Sequence, residues 1–479
     1  MTSAAMHAAF DDVLDNLVRR SGVSRNVLAS VLVRVMVVAP DDAVRADIAR
    51  GSMLGRPRAL NPAAVSKAVA ALLAEGFLSE GPLQSDKNRR AGRPVKPLRM
   101  GTDQWGLMGI KVIHADARPT ALTGVVMNLR TDVLVEWSED LPDGVTFETV
   151  ADHIEALVLK LKAMVADIDK AGKTATRQIL ALGVDVASHV HRGHLIGATH
   201  MGLPVNEDFD LMTPLQERLG LPVVIDNDVN LLAVRELYRS VYAERDIALI
   251  AVFNDGVGGA LILDGHLYRG GGGMAAEPGH QRVHVDLANA PGALHPAPDE
   301  RRVGFSAPCH CEKPGHIDCY AVPARLLAEV PEATTFSQAA GLPAYDSSGQ
   351  LTRAGWAFRV GGDALGQGIA MVINNLNPKR LVLIVPAELS PADAGNRSAA
   401  AEYLSSVEHA VSEYSFSSGA KDARADATGL TVDVLNADDV RRVGAVSAAI
   451  RAFDTFIQHA RGRDDCQSQD ALGDVRSIA

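Results

Sequence analysis

Between Asn61 and Gly76 apolar residues recur at helical spacing, as Val65, Ala68, Val69, Leu72 and Leu73. Positions i, i+3, i+4, i+7 and i+8 line one buried face of an amphipathic helix. Asn61 supplies an N-cap, Pro62 suits the first helical position, and Gly76 suits the C-terminal stop. The opposite face carries Ala63, Ser66, Lys67 and Ala70. Two further helices are predicted upstream, at 25–38 and 41–50, and the connection 51–60 is longer than a tight turn. Downstream, 77–80 is predicted as a strand and 95–100 as its return.

After residue 101 the pattern mixes strand and helix. Strands are predicted at 109–112, 121–128, 180–186, 222–225, 247–253 and 380–385, and helices at 149–168, 211–219 and 361–376. That order of elements indicates an α/β domain. Asn227, Asp228 and Asn230 fall where a strand ends and a helix begins, a place suited to gripping ligand hydroxyls. Residues 254–260 are predicted as a glycine-rich turn, and Asp264-Gly265 as a hairpin turn. From Arg461 the chain is a polar tail.

Composition narrows the class. A chain of 479 residues is too long for one ordinary core and suits two or three domains. No apolar run is long enough to span a bilayer, and the acidic start lacks the basic region of a signal peptide. A cytoplasmic protein without membrane contact is therefore expected. The net charge of −11 is uneven: residues 1–100 hold fifteen Lys and Arg against nine Asp and Glu, a balance of +6, which leaves −17 for the remainder. A basic module on an acidic body is the charge layout of a DNA-binding head on an effector domain, although solvated charges alone can fluctuate this much.

Six cations lie between Lys87 and Arg99, with Asp86 just outside that span. A helix followed by a hairpin with a basic Gly/Pro-rich tip is the layout of a winged helix. Ser66 and Lys67 would then face the major groove of double-stranded DNA. Lys87, Arg89 and Arg90 would contact phosphates, and Arg93, held between Gly92 and Pro94, would enter a minor groove.

Of the four cysteines, Cys309, Cys311 and Cys319 fall within eleven residues and Cys466 stands apart. A tight cluster in a cytosolic chain binds metal more often than it forms a disulfide framework, and buried or free thiols are the plain alternative.

Over residues 25–460 the chain resembles the ROK family, which holds repressors of sugar metabolism and sugar kinases. The resemblance rests on Gly92-Arg93-Pro94, on Asn227-Asp228 with Asn230 and Glu236, on Gly256-Val-Gly-Gly, on Glu277-x-Gly-His280, and on Cys309-x-Cys311 followed by Gly315 and His316. It implies an N-terminal winged helix-turn-helix (1–100), a two-lobed actin-like, sugar-kinase-like (ribonuclease H-like) α/β domain (101–460), and a tail (461–479). It implies a structural Zn²⁺ on His280, Cys309, Cys311 and His316, with Cys319 as a competing fourth ligand. It implies Asn227, Asp228, Glu277, His280 and Asp318 as sugar ligands.

Several positions depart from the family. Asp318 stands for a longer Glu, Ala187-Ser188 for Pro-Gly, and Glu312 for a Gly after the second cysteine, while about 287–304 is an insertion. The kinases' Asp-x-Gly-Gly-Thr phosphate loop is replaced by Lys111-Val-Ile-His-Ala115, and Asn254-Asp255 stands where kinases show Gly-Thr. Backbone amides approach a phosphate closely only at glycine, and a kinase needs the acid for its metal. Asp228 matches the kinases' base but is left without a phosphoryl donor. The expectation is a non-enzymatic DNA-binding transcriptional regulator, a repressor of carbohydrate-related genes, with no catalytic residue. Its expected partners are an operator, a sugar or sugar phosphate effector, and further copies of itself in a homodimer or dimer of dimers. A sugar kinase and an effector-independent regulator are the alternatives.

Overall fold

The computed structural model describes residues 2–37, 45–50, 59–82, 96–115, 118–172, 174–196, 208–239, 245–287, 304–389, 397–416, 430–435 and 437–462. The chain divides into two compact units. One comprises Met1–Ala243, Gly271–Gly273 and Arg441–Ala479, and the other Glu244–Gly270 and Met274–Val440.

The first unit opens with helices α1 (Thr2–Ser21), α2 (Arg25–Val37), α3 (Arg45–Arg50) and α4 (Pro62–Ala74). Helix α1 is not among the elements expected above, although Phe10, Leu14 and Leu17 at i, i+4 and i+7 are all buried. Helix α4 forms as its pattern predicts. The Asn61 side chain accepts a hydrogen bond from the Ala63 amide at 2.9 Å, and Val65, Ala68, Val69 and Leu72 are buried. Ala71 joins that face while Leu73 is only half-buried. Gly76 adopts φ +68°, the left-handed conformation that stops a helix. Strands β1 (Leu78–Glu80) and β2 (Leu98–Met100) then pair antiparallel, with Ser79 opposite Arg99.

The rest of this unit is a five-stranded sheet. It is built from β3 (Trp105–Ala115), β4 (Arg118–Asn128), β5 (Val133–Asp140), β6 (Gln178–Val186) and, after the short strands β7 (Val190–His191), β8 (His194–Ile196) and β9 (Asp208–Asp210), β10 (Val223–Asn227). The strand order is β10-β6-β3-β4-β5, antiparallel among the first three strands in the chain and parallel for the two that follow. Helix α5 (Val150–Ala171) covers one face, where Ile154, Leu157 and Leu161 share a core with Met108, Ile110 and Val126. Helices α6 (Met212–Leu219) and α7 (Asp228–Arg239) flank β10 in sequence.

In the second unit β11 (Ile247–Val252), β12 (Val257–Leu263), β13 (His266–Tyr268), β14 (Arg380–Pro386) and β15 (Leu430–Leu435) form a sheet of order β13-β12-β11-β14-β15. Read by position in the chain, each five-stranded sheet has the order third, second, first, fourth, fifth. The glycine-rich run differs from its expectation. The turn is only Phe253–Gly256 in extent, closed by the Phe253 amide donating to the Gly256 carbonyl at 2.9 Å, and Gly258 and Gly259 already belong to β12. Asp264 and Gly265, with φ of 50° and 76°, make the expected hairpin turn.

Helices α8 (Pro323–Ala328), α9 (Phe336–Gly341), α10 (Arg353–Leu376) and α11 (Ala399–Tyr414) complete the second unit. Helix α10 starts eight residues before its predicted start, capped by the Thr352 hydroxyl, which accepts from the Gly355 amide at 3.0 Å. Gly355, Gly361 and Gly362 dilute the helical signal there.

The last helix, α12 (Ala437–Ala460), belongs to the first unit from Arg441 onward. It lies on the face of the first sheet opposite α5, where the side chains of Gly109 and Gly183 would stand. A Cβ at either glycine would overlap the carbonyl of Ala445 or Ala448, so only glycine permits this approach. Its Phe456 ring stacks on Phe77 with centroids 5.7 Å apart and meets Phe10 of α1 edge-on at 5.3 Å. No helix among the described residues is long and apolar enough to cross a membrane.

Candidate functional site

Among the described residues, the densest cluster of metal-type donors lies in the second unit. His280 ends a 3-10 turn, Pro278–His280, that rests against buried Asp318. Gly279 makes this possible, because a Cβ there would overlap the Asp318 carboxylate and the Val257 carbonyl. Cys309 and Cys311 sit in a tight turn held by the Cys309 amide donating to the Lys313 carbonyl at 3.0 Å. Glu312, which replaces the glycine of the family pattern, has φ +65° in that turn. The position therefore demands the left-handed conformation and carries a residue that pays about 1–2 kcal/mol for it.

Cys309 Sγ lies 3.4 Å from His280 Nδ1, and Cys311 Sγ lies 3.3 Å from His316 Nδ1. One donor atom from each of the four lies within 4.8 Å of all the others. Zinc–sulfur and zinc–nitrogen bonds at the tetrahedral angle place S and N about 3.6 Å apart, so the spacing fits a small tetrahedral cation. Burial pushes the Cys309 thiol up to about 12. Burial also holds both His280 and His316 below the ordinary imidazole value, and for His316 the neighbouring His280 adds to it. Neutral imidazoles are the metal-binding form, and a cation at the centre would supply what ionises the thiols.

Cys319 is fully buried and its thiol faces the Lys313 carbonyl at 3.9 Å, outside this group of four. A second set overlaps the first. His310 Nδ1 stands 3.7 Å from Cys309 Sγ and 3.9 Å from Asp318, and His280, Cys309, His310 and Asp318 also lie within 4.8 Å of one another. His310 was not singled out from the sequence, although its place between the two cysteines was the available signal. Two sulfurs and two imidazoles are the softer set and suit zinc better than one sulfur with a carboxylate.

The residues expected to bind sugar fall in two groups. Asn227 and Asp228, in the first unit, sit at the junction of β10 and α7. The Asn227 amide group donates to the Ser188 carbonyl at 3.3 Å while its oxygen accepts from the Val229 amide at 3.0 Å. Asp228 accepts from the same amide at 2.8 Å. Glu236, part of the family pattern, is fully buried and pairs with Arg239 at 2.7 Å, a structural role. Glu277, His280 and Asp318 form the other group, in the second unit. Asp318 accepts from the Val257 amide at 2.9 Å, and its carboxylate lies 3.8 Å from His280. Burial raises the Asp318 carboxyl above its ordinary value.

Where kinases have a phosphate loop, this chain has strand. Lys111 through Ala115 lie within β3 and are registered against β4, and Lys111 is also registered against β6. The Lys111 ammonium is buried and lies 3.1 Å from both carboxylate oxygens of Asp185. Burial raises the Asp185 carboxyl to about 6, against the opposing pull of Lys111. The segment is thus a ladder closed by an internal ion pair rather than an open loop of glycine amides.

Ser66 and Lys67 are exposed on α4, on the side away from its buried stripe. The connection between β1 and β2 contains Lys87, Arg89, Arg90, Gly92, Arg93 and Pro94, all of which lie outside the described residues.

Residues 145–422 match the model of the ROK family. The chain is 28% identical over 218 residues to a glucokinase from Halalkalibacterium halodurans, covering 43% of this chain and 60% of that one. It is 22% identical over 334 residues to the xylose repressor of Bacillus spizizenii, covering 68% of this chain and 74% of that one. Among solved structures, a ROK family transcriptional regulator described as a homologue of the E. coli Mlc protein superposes with a TM-score of 0.60, at 18% identity, over 94% of this chain and 99% of that one. At that identity the superposition establishes the fold, a ROK sugar-kinase-like α/β fold. Because the family model spans more than half of the sequence and the twin sheets agree with it, this chain belongs to the ROK family.

Proposed function

We propose that this chain is a DNA-binding transcriptional regulator, a repressor of carbohydrate-related genes, and not a kinase. The observation that carries the reading is α4: a capped helix with Ser66 and Lys67 exposed, followed by the β1–β2 hairpin whose connection holds the basic run. Residues 1–100 are then a winged helix-turn-helix, with α4 as its recognition helix and Arg93 reaching the minor groove. The likeness to a xylose repressor supports it, and the ladder at Lys111–Ala115 weighs against phosphoryl transfer.

The likeness to a glucokinase favours a second reading, hexose phosphorylation. A coupled ATPase assay with common hexoses decides between the two, and turnover above background would reverse our assignment. A sugar or sugar phosphate is the proposed effector, with Asn227, Asp228, Glu277, His280 and Asp318 as the residues to substitute. Such a ligand alters operator affinity only by binding one state of the protein better than the other. A structural Zn²⁺ on His280, Cys309, Cys311 and His316 and a homodimer or dimer of dimers complete the proposal.

DNA binding is testable before any operator is known. Fluorescence anisotropy with a random-sequence duplex is expected to show affinity falling linearly on a log–log plot against salt. Lys87→Ala, at one of the proposed phosphate contacts, should reduce that slope by about 0.9, the share of one phosphate contact. A chain that does not bind duplex at low salt contradicts the proposal.

A further inference from the structure

Six donors of metal type crowd one corner of the second unit: His280, Cys309, His310, Cys311, His316 and Asp318. A tetrahedral ion takes four. The zinc proposed above uses His280, Cys309, Cys311 and His316, which leaves His310 and Asp318 beside it. With His280 and Cys309 these two form a second tetrahedron of single atoms. Cys309 Sγ lies 3.4 Å from His280 Nδ1, 3.7 Å from His310 Nδ1 and 3.6 Å from Asp318 Oδ2. The same Oδ2 lies 3.8 Å from His280 Nδ1 and 3.9 Å from His310 Nδ1. Metal bonds of about 2.0–2.3 Å at the tetrahedral angle set donors about 3.3–3.8 Å apart, so these edges lie at or near the required length. The two imidazoles meet edge-on, with centroids 5.0 Å apart and planes at 71°.

The backbone aims these atoms. Asp318 is 4% exposed, and its other oxygen, Oδ1, accepts from the Val257 amide at 2.9 Å, which turns Oδ2 toward Cys309 and the two histidines. Gly279 lets the turn that bears His280 lie against that carboxylate. His310 is carried by the same closed turn as Cys309. Buried carboxylates are held by pairing or by a metal, and an ion at this centre would supply the cation. From this geometry we infer a second metal seat, formed by His280, Cys309, His310 and Asp318. Both seats claim His280 and Cys309, so the cluster holds one ion in one seat or the other. The inference rests on the reading of the cluster as a zinc site. With one sulfur the second seat is the weaker for zinc, and it takes the ion when the first loses a donor. An ion there also engages Asp318, one of the proposed sugar ligands, so the position of the ion and the hold on an effector draw on one carboxylate.

The test titrates Co²⁺ into the metal-free full chain. Thiolate-to-cobalt charge transfer counts the bound sulfurs, and the visible bands report tetrahedral geometry. Wild type is expected to bind one Co²⁺ through both thiolates. His316→Ala, although it loses zinc on purification, is expected to bind one tetrahedral Co²⁺ when the ion is in excess, with about half the charge-transfer absorption, one thiolate in place of two. An ion left in the damaged first seat would keep both. Adding His310→Ala should abolish this binding. Absence of tetrahedral Co²⁺ from His316→Ala, undiminished charge transfer, or binding that survives His310→Ala would each overturn the inference. Cys311→Ser, at an exposed side chain, serves if His316→Ala does not fold. Its Co²⁺ binding is likewise expected to persist and to be lost with His310→Ala, and persistence in that double variant would overturn the inference. A wild type that binds no Co²⁺ would overturn the zinc reading as well, whereas failure confined to the variants overturns the second seat alone.

Discussion

Asp169 shows how a single buried charge ties this fold to pH. It sits in the last turn of α5, 1% exposed, and accepts the Arg177 amide at 2.9 Å and the Arg177 guanidinium at 3.0 and 2.5 Å. Burial alone would raise its carboxyl, but the hydrogen bonds and charge of Arg177 win and hold it below 3.8. A depressed carboxylate contributes stability that is present above the unfolded value and is lost as pH falls through the folded one. Asp169→Asn should therefore cost about 3–5 kcal/mol near pH 7, because it leaves the buried Arg177 charge without its carboxylate, with only the Thr102 carbonyl still accepting from it at 2.8 Å. Urea titrations at several pH values should show the gap between variant and wild type narrowing below about pH 4, where the wild-type carboxylate is itself being protonated. A gap independent of pH would contradict this assignment. Nothing local marks Asp169 in the sequence, and the same is true of Lys111 with Asp185. The missing phosphate loop was legible from the residues Lys111–Ala115. That Lys111 would turn inward onto an acid 74 positions away was not, because only the registry of β3 with β6 brings the two together. Asn61, Asp264 and Gly265 were legible because their roles are set by immediate neighbours.

At the scale of elements, periodic faces were read correctly and long, diluted ones were not. Helix α4 and strands β3, β4, β6, β10, β11 and β14 follow from apolar spacing, whereas the edge strands β5 and β15 were not among the expected elements. Helix α12 escaped notice because it meets the sheet through backbone carbonyls over Gly109 and Gly183 and through small residues such as Ala445 and Ala448, which leave little amphipathic signature. Gly183→Ala should consequently cost about 1–3 kcal/mol, by forcing α12 away from the sheet. A denaturant midpoint unchanged from wild type would mean that the helix is not so closely seated. The metal-type turn is also an element-scale feature. The cysteine spacing and His316 as the expected fourth donor were visible in sequence, whereas the burial of the Cys319 thiol against the Lys313 carbonyl, outside the group of four, was not. Elemental analysis of the purified chain is expected to find zinc near one equivalent, retained in Cys319→Ser and lost in Cys309→Ser and His316→Ala. Loss in Cys319→Ser with retention in His316→Ala would transfer the ligand role to Cys319.

For the whole molecule, two sheets of one topology carry a kinase-type fold whose phosphate-loop segment is closed by strand pairing and an ion pair. The basic balance of the first hundred residues, against an acidic remainder, was legible from counting alone. The packing of Phe10 and Phe77 on Phe456 was not, since it joins the two ends of the chain. It ties α1 and the turn after α4 to α12 within the first unit. The central claim is that the N-terminal head recognises a DNA sequence. A genome-wide pull-down of fragments by the purified protein, repeated with Arg89, Arg90 and Arg93 changed to Ala, tests it most directly. Recovery of one shared inverted repeat by the wild type, and its loss in the triple variant, is the predicted result. Failure to enrich any sequence at moderate salt, or equal enrichment by the variant, would contradict it.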